Sequence, residues 1–371
     1  MRIAYILTSL ATGGAERQVL ALAQRMQAYG HGVVILVLRP QCASQCPTQL
    51  DVLHLDLSSD PVSAVRAYRR AMQILKAFRP HIVHSHNFHG NLLARLLKLA
   101  IPALPVLSTM HNIYEGGRMR MLAYRLTDPL SIGSVAVCSA IADRYVAVGV
   151  IPLRKCRVIA NGIDASEFAP DAERRVKLRA KLSAGERFLW LAAGRVTPAK
   201  DYPNLLRAFA QVRAYAPHAE LWIAGEGQGR YMADMQAIST KLGTDASVRW
   251  LGLRRDMPAL LDAADGFTLS SAWEGMPLVI GEAMAMQKTI VATHVGGVRE
   301  MVGDCGTLVN AGDSAALAQA MIAAMQTPVA LREQRGCEAR LRILQKFDAN
   351  AKADSWSRLY EECIASNPRN T

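Results

Sequence analysis

Two cations five positions apart, Arg195 and Lys200, lie in the segment Gly194-Arg195-Val196-Thr197-Pro198-Ala199-Lys200-Asp201, directly behind an apolar run that reads as a strand. A planar guanidinium and an ammonium point charge at the end of one strand can turn toward a single diphosphate; the same pair can also be two solvated surface charges. Further along, Glu274 and Glu282 bracket Gly-Met-Pro-Leu-Val-Ile-Gly. Pro277 suits the first turn of a helix, which puts Glu274 in the loop ahead of it and Glu282 in its second turn. Backbone amides around Met276, Pro277 and Leu278 would then face an anion, while the two carboxylates accept hydrogen bonds from hydroxyls. The plainer reading is that Glu274 only favours a helix N-terminus and Glu282 is a surface residue.

Gly13-Gly14 ends the loop behind the opening strand and starts a helix. Paired glycines let amides approach an anion at a helix N-terminus, and they also make an ordinary tight turn. No G-x-G-x-x-G follows that strand, so the dinucleotide fingerprint is missing. His81, His84, His86 and His89, with His111 after the next strand, tempt a metal assignment. Their spacing fits no zinc pattern, and no D-x-D pair occurs in the chain, so no metal is expected.

The elements that must position these residues alternate. Apolar runs at 2–7, 33–38, 52–55, 81–84, 105–109 and 134–138, then 188–193, 220–224, 248–251, 266–269 and 289–292, read as parallel strands covered on both faces. Helical stretches lie between them, including 15–29, 61–78, 91–99, 202–215, 257–264, 277–286 and 314–325. The pattern predicts an α/β architecture of two doubly wound, Rossmann-like parallel-sheet domains, in which ligands sit at the carboxyl ends of the strands. A length of 371 residues suits two domains. The join is expected near 158–164, where Asn161-Gly162 offers a turn. That gives domains at 1–163 and 164–348, with a last helix from about 349 crossing back to the first.

Composition narrows the classes. With 51% hydrophobic and 20% charged residues the chain is too apolar to be disordered. No window of eighteen residues is apolar and uncharged enough to span a bilayer, and no signal peptide is expected. Seven cysteines at scattered spacings (42, 46, 138, 156, 305, 337 and 363) read as reduced cytosolic thiols.

In sequence order, GGAE at 13–16, HSHN at 84–87, TMHN at 109–112, NGID at 161–164, GRVTPAKD at 194–201, AGEG at 224–227, the paired glutamates at 274 and 282, and Gly296-Gly297 before Glu300 resemble the retaining nucleotide-sugar glycosyltransferases of family four, with the glycosyltransferase-B fold. The likeness runs from about Ile3 to the final helix. It implies two lobes facing each other across a cleft, an N-terminal acceptor-binding domain and a C-terminal donor-binding domain. It further implies that Arg195 and Lys200 clamp the donor diphosphate, Glu282 holds ribose hydroxyls, and Glu274 meets the transferred sugar beside Met276, Pro277 and Leu278. Gly14 would approach the diphosphate from the first domain, and His111 would lie near the sugar. Gly225, Gly227, Leu253 and Arg254 would lie near the base, and Trp356 and Tyr360 would suit a terminal helix packed on the first domain. No cofactor is implied beyond the donor itself, a nucleotide diphosphate sugar, with UDP favoured by family frequency.

The net charge of +12 is lopsided: residues 1–160 carry 18 Lys and Arg against seven Asp and Glu, leaving 25 against 24 for the rest. Segments 66–79 and 95–125 mix Arg and Lys with Leu, Met and Tyr, as expected of a surface resting on anionic lipid or cradling a lipid diphosphate, or of a solvated helix face. The expectation is a cytoplasmic enzyme, peripheral at the inner face of the membrane, that acts on a lipid-linked or cell-envelope saccharide acceptor. No helix-turn-helix, zinc-finger or RNA-binding signature points to nucleic acid. A sugar-nucleotide epimerase on a similar scaffold and a non-catalytic two-lobed binding protein are the rival classes; a dinucleotide-dependent oxidoreductase would need the missing glycine fingerprint.

Overall fold

The computed structural model describes residues 1–10, 13–39, 49–227 and 229–366. Cys42 and Cys46 lie outside these residues, as do Ala11 and Thr12 in the first glycine loop. The five described cysteines are free thiols. The chain divides into two units, residues 1–162 with the segment from Asn350 onward, and Ile163–Ala349. Ile163 belongs with the second unit because its N–H donates to Phe347 O (2.7 Å) and its carbonyl accepts from Ala349 N (3.1 Å).

The first unit runs β1 (Arg2–Leu7), α1 (Gly14–Ala28), β2 (Gly32–Val37), β3 (Val52–His54), α2 (Pro61–Phe78), β4 (Ile82–His86), α3 (Asn87–Ala100), β5 (Val106–Met110), α4 (Arg118–Thr127), β6 (Gly133–Ala136), α5 (Ser139–Ala147) and β7 (Cys156–Val158). Its seven strands are parallel, in the order β3-β2-β1-β4-β5-β6-β7. Both faces are covered. From β1, Ile3, Tyr5 and Leu7 enter one core layer, and Ala4 and Ile6 enter the other, as the two-residue period of a strand requires. Asp60 caps α2, accepting from Ser63 N at 2.7 Å with Pro61 in the first turn.

The second unit runs α6 (Ala172–Lys181), β8 (Leu189–Ala193), α7 (Tyr202–Tyr215), β9 (Glu220–Ala224), α8 (Gly229–Lys241), β10 (Val248–Gly252), α9 (Met257–Ala263), β11 (Gly266–Leu269), α10 (Leu278–Ala285), β12 (Thr289–Thr293), α11 (Val298–Val302), β13 (Thr307–Val309), α12 (Ser314–Gln326) and α13 (Val329–Lys346). Its six parallel strands lie in the order β10-β9-β8-β11-β12-β13. Trp190, Ala192, Leu221 and Ile223 pack under α7 and α12. The final helix, α14 (Ala349–Ala365), places Trp356, Leu359 and Tyr360 in the core of the first unit.

Each sheet reverses its strand order once, between β1 and β4 and between β8 and β11. Connections from adjacent strands leave in opposite directions there, which opens a crevice at the carboxyl ends where a ligand can enter.

Two expectations need correction. The strand expected at 81–84 begins one residue later and continues through His86, because its histidines are buried and bonded rather than looped out. Arg95, counted with a basic surface, is fully buried. Its guanidinium donates to Ser108 Oγ (3.1 Å), Tyr124 O (3.0 Å), Thr127 Oγ1 (3.3 Å) and Ser134 Oγ (3.3 Å).

Candidate active site

At the reversal point of the second sheet, the loops behind β8 and β11 are stitched together. Gly194, at φ +148°, turns the chain out of β8, and Tyr202 donates its hydroxyl to Gly194 O at 2.8 Å. The loop ends at Asp201, which adopts left-handed backbone (φ +44°) and caps α7 by accepting from Asn204 N. Ala272 N donates to Ala199 O at 2.9 Å and Ser270 Oγ to Lys200 O at 2.8 Å, so the two loops hold one another's backbone.

The side chains meet on that frame. Lys200 Nζ lies 2.5 Å from Glu274 Oε1, and Ser271 Oγ donates to the same oxygen at 2.6 Å. The lysine and glutamate side chains are 18% and 12% exposed, enough shelter to strengthen the pair and enough opening to admit a ligand. Glu274 Oε2 has no bonded partner among the described residues. Thr293 Oγ1 fixes Ser271 by donating to its carbonyl at 2.7 Å. The glycine pair at 296–297 supports the glutamate from behind. Gly297 N donates to Gly275 O at 2.6 Å, and a Cβ on Gly296 would come within 2.2 Å of Glu274 O. Ser271 and Thr293 escaped the sequence reading, because single hydroxyls at strand ends carry no pattern.

Arg195 is exposed in the same loop as Lys200. Pro277 is the residue capping α10 rather than part of its first turn, and its ψ of 114° is extended. Met276 and Leu278 are buried on either side of it; Ile280 N in the first turn donates to Pro277 O at 3.3 Å, and the amides ahead of it precede the first bond of the helix. Glu282 occupies the second turn and is 2% exposed, which removes the surface-residue reading. Gly225 has a structural reason of its own: a Cβ there would stand 1.9 Å from Gly194 O, so β8 and β9 could not end side by side. A Cβ on Gly227 would meet Val196 Cβ at 2.7 Å. Leu253 is exposed behind β10, and Arg254 is held by a two-pronged bond to Asp256 (2.8 and 2.6 Å), a partner close in sequence that the spacing did not suggest.

Gly14 and His111 lie in the first unit. Gly14 opens α1, and Gly13, in extended backbone, precedes it. His111 follows β5 and is buried, its Nε2 3.0 Å from His86 Nδ1. Burial pushes the His111 imidazolium down to about 4, so the ring is neutral near pH 7. The backbone N–H of His111 donates to Glu115 Oε1 at 3.3 Å, and Tyr124 donates its hydroxyl to Glu115 Oε2 at 2.5 Å. Burial raises the Glu115 carboxyl to about 7, against the pull of those bonds. Sequence reasoning missed Glu115, although a signal was there: it is the only acid between Asp60 and Asp128. His84 is part of the frame, with Nδ1 2.6 Å from Tyr360 Oη and Nε2 2.7 Å from Thr109 Oγ1. No group of three or more His, Cys, Asp or Glu side chains suited to a metal ion occurs among the described residues.

Two α/β units, each with a doubly wound parallel sheet and loops gathered at the strand ends, have the architecture of the two-domain B fold of glycosyltransferases. A model described as glycosyltransferase family 4 matches residues 12–167, and one described as glycosyl transferases group 1 matches residues 187–327. The chain belongs to this family of glycosyltransferases. It is 27% identical over 305 residues to the putative glycosyltransferase EpsD of Bacillus subtilis, covering 78% of this chain and 80% of that one. It is 26% identical over 328 residues to the Escherichia coli UDP-Gal:alpha-D-GlcNAc-diphosphoundecaprenol alpha-1,3-galactosyltransferase, covering 84% and 82%. Among solved structures, Alr3699/HepE of Anabaena in complex with UDP and glucose superposes with a TM-score of 0.89 at 21% identity, over 98% of this chain and 100% of that one.

Proposed function

We propose that the protein is a retaining hexosyltransferase. It moves a sugar from a nucleotide diphosphate sugar, UDP-linked in the first instance, to a hydroxyl of a lipid-linked or cell-envelope saccharide, without a metal. The observation that carries this reading is the Lys200–Glu274 pair, held by Ser271 where the second sheet reverses its order. The Escherichia coli relative is named for a UDP-sugar and a lipid diphosphate acceptor, and the Anabaena structure was solved with UDP and glucose, which supports the same donor and acceptor classes here.

The chemistry follows from where charge grows. As the bond from the sugar carbon to the diphosphate breaks, negative charge builds on the leaving phosphate. Lys200, Arg195 and the first-turn amides of α10 supply positive charge there without reorganising. Glu274 steadies the ammonium through Oε1 and leaves Oε2 to accept from a sugar hydroxyl, while Glu282 accepts from the ribose. The acceptor hydroxyl attacks from the face the phosphate leaves, and the phosphate takes its proton, so configuration is retained. In Lys200→Ala, transfer falls by about 10²–10³ while the fold persists by circular dichroism. Near-normal turnover in that variant overturns the assignment, and epimerisation of the sugar nucleotide without acceptor favours the epimerase class instead.

A second observation concerns the acceptor side. On α4, Met119, Leu122 and Leu126 are 77%, 47% and 70% exposed, at helical positions i, i+3 and i+7. Arg118 and Arg125 are exposed on the same helix, which carries no acid. A short basic helix with an uncovered apolar stripe suits an anionic lipid surface, where its lipid-linked acceptor would reside. Sedimentation with vesicles of anionic lipid at low salt should carry the protein down, and Met119→Ser/Leu126→Ser should release it. Equal partition onto neutral vesicles argues for an acceptor free in solution.

A further inference from the structure

The ring of His86 bears on what His111 can do. His86 ends β4 and His111 follows β5; the strands pair in parallel with His86 opposite Thr109, so the rings meet two residues further along. Both are buried, at 2% and 7% exposure, and burial holds both imidazolium forms well below the usual range, so each ring carries one N–H. A single hydrogen therefore occupies the 3.0 Å contact between His86 Nδ1 and His111 Nε2, and two arrangements are open.

If His111 donates, the hydrogen of His86 must sit on its Nε2. That atom is buried with no partner among the described residues. The neighbouring rings, Tyr5 stacked at 6.0 Å and His84 tilted at 4.0 Å, are placed against the His86 ring and leave its Nε2 without an acceptor. An orphaned buried N–H is the rarer defect, because a donor has one hydrogen and no second way to use it. If His86 donates instead, its Nε2 is a bare lone pair, and no buried N–H is stranded. His111 then carries its hydrogen on Nδ1, which makes no hydrogen bond among the described residues but, unlike His86 Nε2, is not one of the sealed atoms left without a partner, so it can meet a ligand.

We infer that His86 is a positioning residue: by donating from Nδ1 to His111 Nε2 it fixes His111 as the Nδ1–H tautomer, so that His111 meets an oxygen of the transferred sugar as a hydrogen-bond donor and not as a base. The inference rests on the proposed transfer reaction and on the placement of His111 near the sugar that the family resemblance implies. It makes the histidine an orienting contact, in keeping with a reaction in which the leaving phosphate takes the proton.

Long-range proton–nitrogen NMR of the full-length protein with labelled histidine tests it. His111 should show a protonated Nδ1 and a bare Nε2 across pH 6 to 8; a protonated Nε2 overturns the inference. In His86→Leu, where nothing donates to Nε2, both tautomers of His111 should appear and kcat/KM should fall about tenfold, the loss of one neutral hydrogen bond. His86→Asn, which can donate from the same reach, should restore the Nδ1–H form and most of the activity. A His86→Leu variant that is still folded, by its amide spectrum, and keeps the single Nδ1–H form overturns it. The two readings fail separately: if His111→Ala transfers sugar normally, the placement at the sugar falls, whatever tautomer the spectra show.

Discussion

At the carboxyl ends of β1, β4 and β5, the first unit seals its polar groups inside. His84, His86, Asn91 and His111 are buried, with Glu115 beside them and Arg95 buried further along the helix that follows β4, and the histidines are held neutral. At the equivalent ends of β8 and β11, the second unit does the reverse. Its charged pair is only partly sheltered, on loops whose backbone is fixed by serines, a threonine and glycines. The strand order around the two reversal points is the same, so the difference lies in what each end is for. A group that must neutralise growing negative charge has to keep its own charge and remain within reach of the ligand. A group that shapes a wall, or that offers a ligand only a neutral hydrogen bond, can be dehydrated and made neutral, provided most of its polar atoms find partners.

The sharpest break in that comparison targets the open pair. Lys200→Ala and Glu274→Gln should each lower transfer by about 10²–10³, yet the double variant should lose far less than the product, because groups acting as a unit are not additive. The check is kcat/KM for all four proteins with a saturating acceptor; multiplying losses would mean that the two side chains act independently. Thermal unfolding should hardly move across the set, since the pair is partly exposed and its loops are held by backbone bonds.

The sealed network should answer in stability instead. Arg95→Leu strips a donor from four oxygen acceptors at once, and each buried acceptor left unsatisfied costs roughly 1–3 kcal/mol, though the serines can turn to other partners. A loss of roughly 3–4 kcal/mol in urea unfolding is expected, with transfer by the folded fraction little changed. A change below about 1 kcal/mol would mean that the guanidinium is held more loosely than its bonds imply.

The same contrast explains what the sequence disclosed. The sheets were legible because strands covered on both faces must be apolar for their whole length, and Ile3 to Leu7 or Leu189 to Ala193 satisfy that without help. Lys200 and Glu274 were legible because the loops that hold them carry glycine and proline at fixed offsets. Arg95 was misread because a helix with a basic residue looks amphipathic whether that residue points outward or is met by four acceptors from other elements. The edge strands β7 and β13, three residues each and only partly buried, are too short to show a period. The contact between His86 and His111 depends on strand register, which no local pattern records.

Glu115 gives the finest test, because burial shifts its charge in the opposite sense to that of the histidines around it. Its carboxyl is raised from 4.5 to about 7, so between those values the folded protein binds more protons than the unfolded chain, and stability falls as pH rises through the interval. His84, His86 and His111 are lowered from 6.5, so they bind fewer protons when folded, and stability rises with pH until the unfolded histidines lose theirs. The two slopes oppose one another in the native protein. Glu115→Gln keeps an oxygen for the His111 amide and removes the titration; it also loses the acceptor of the Tyr124 hydroxyl, a cost that does not vary with pH in this range, so the pH dependence of the difference between native and variant isolates the carboxyl. That difference should decline by about 2–3 kcal/mol between pH 4.5 and 7 and then stay flat, as read from urea unfolding at steps of half a pH unit. Parallel curves would place the Glu115 carboxylate in water rather than under the Tyr124 hydroxyl.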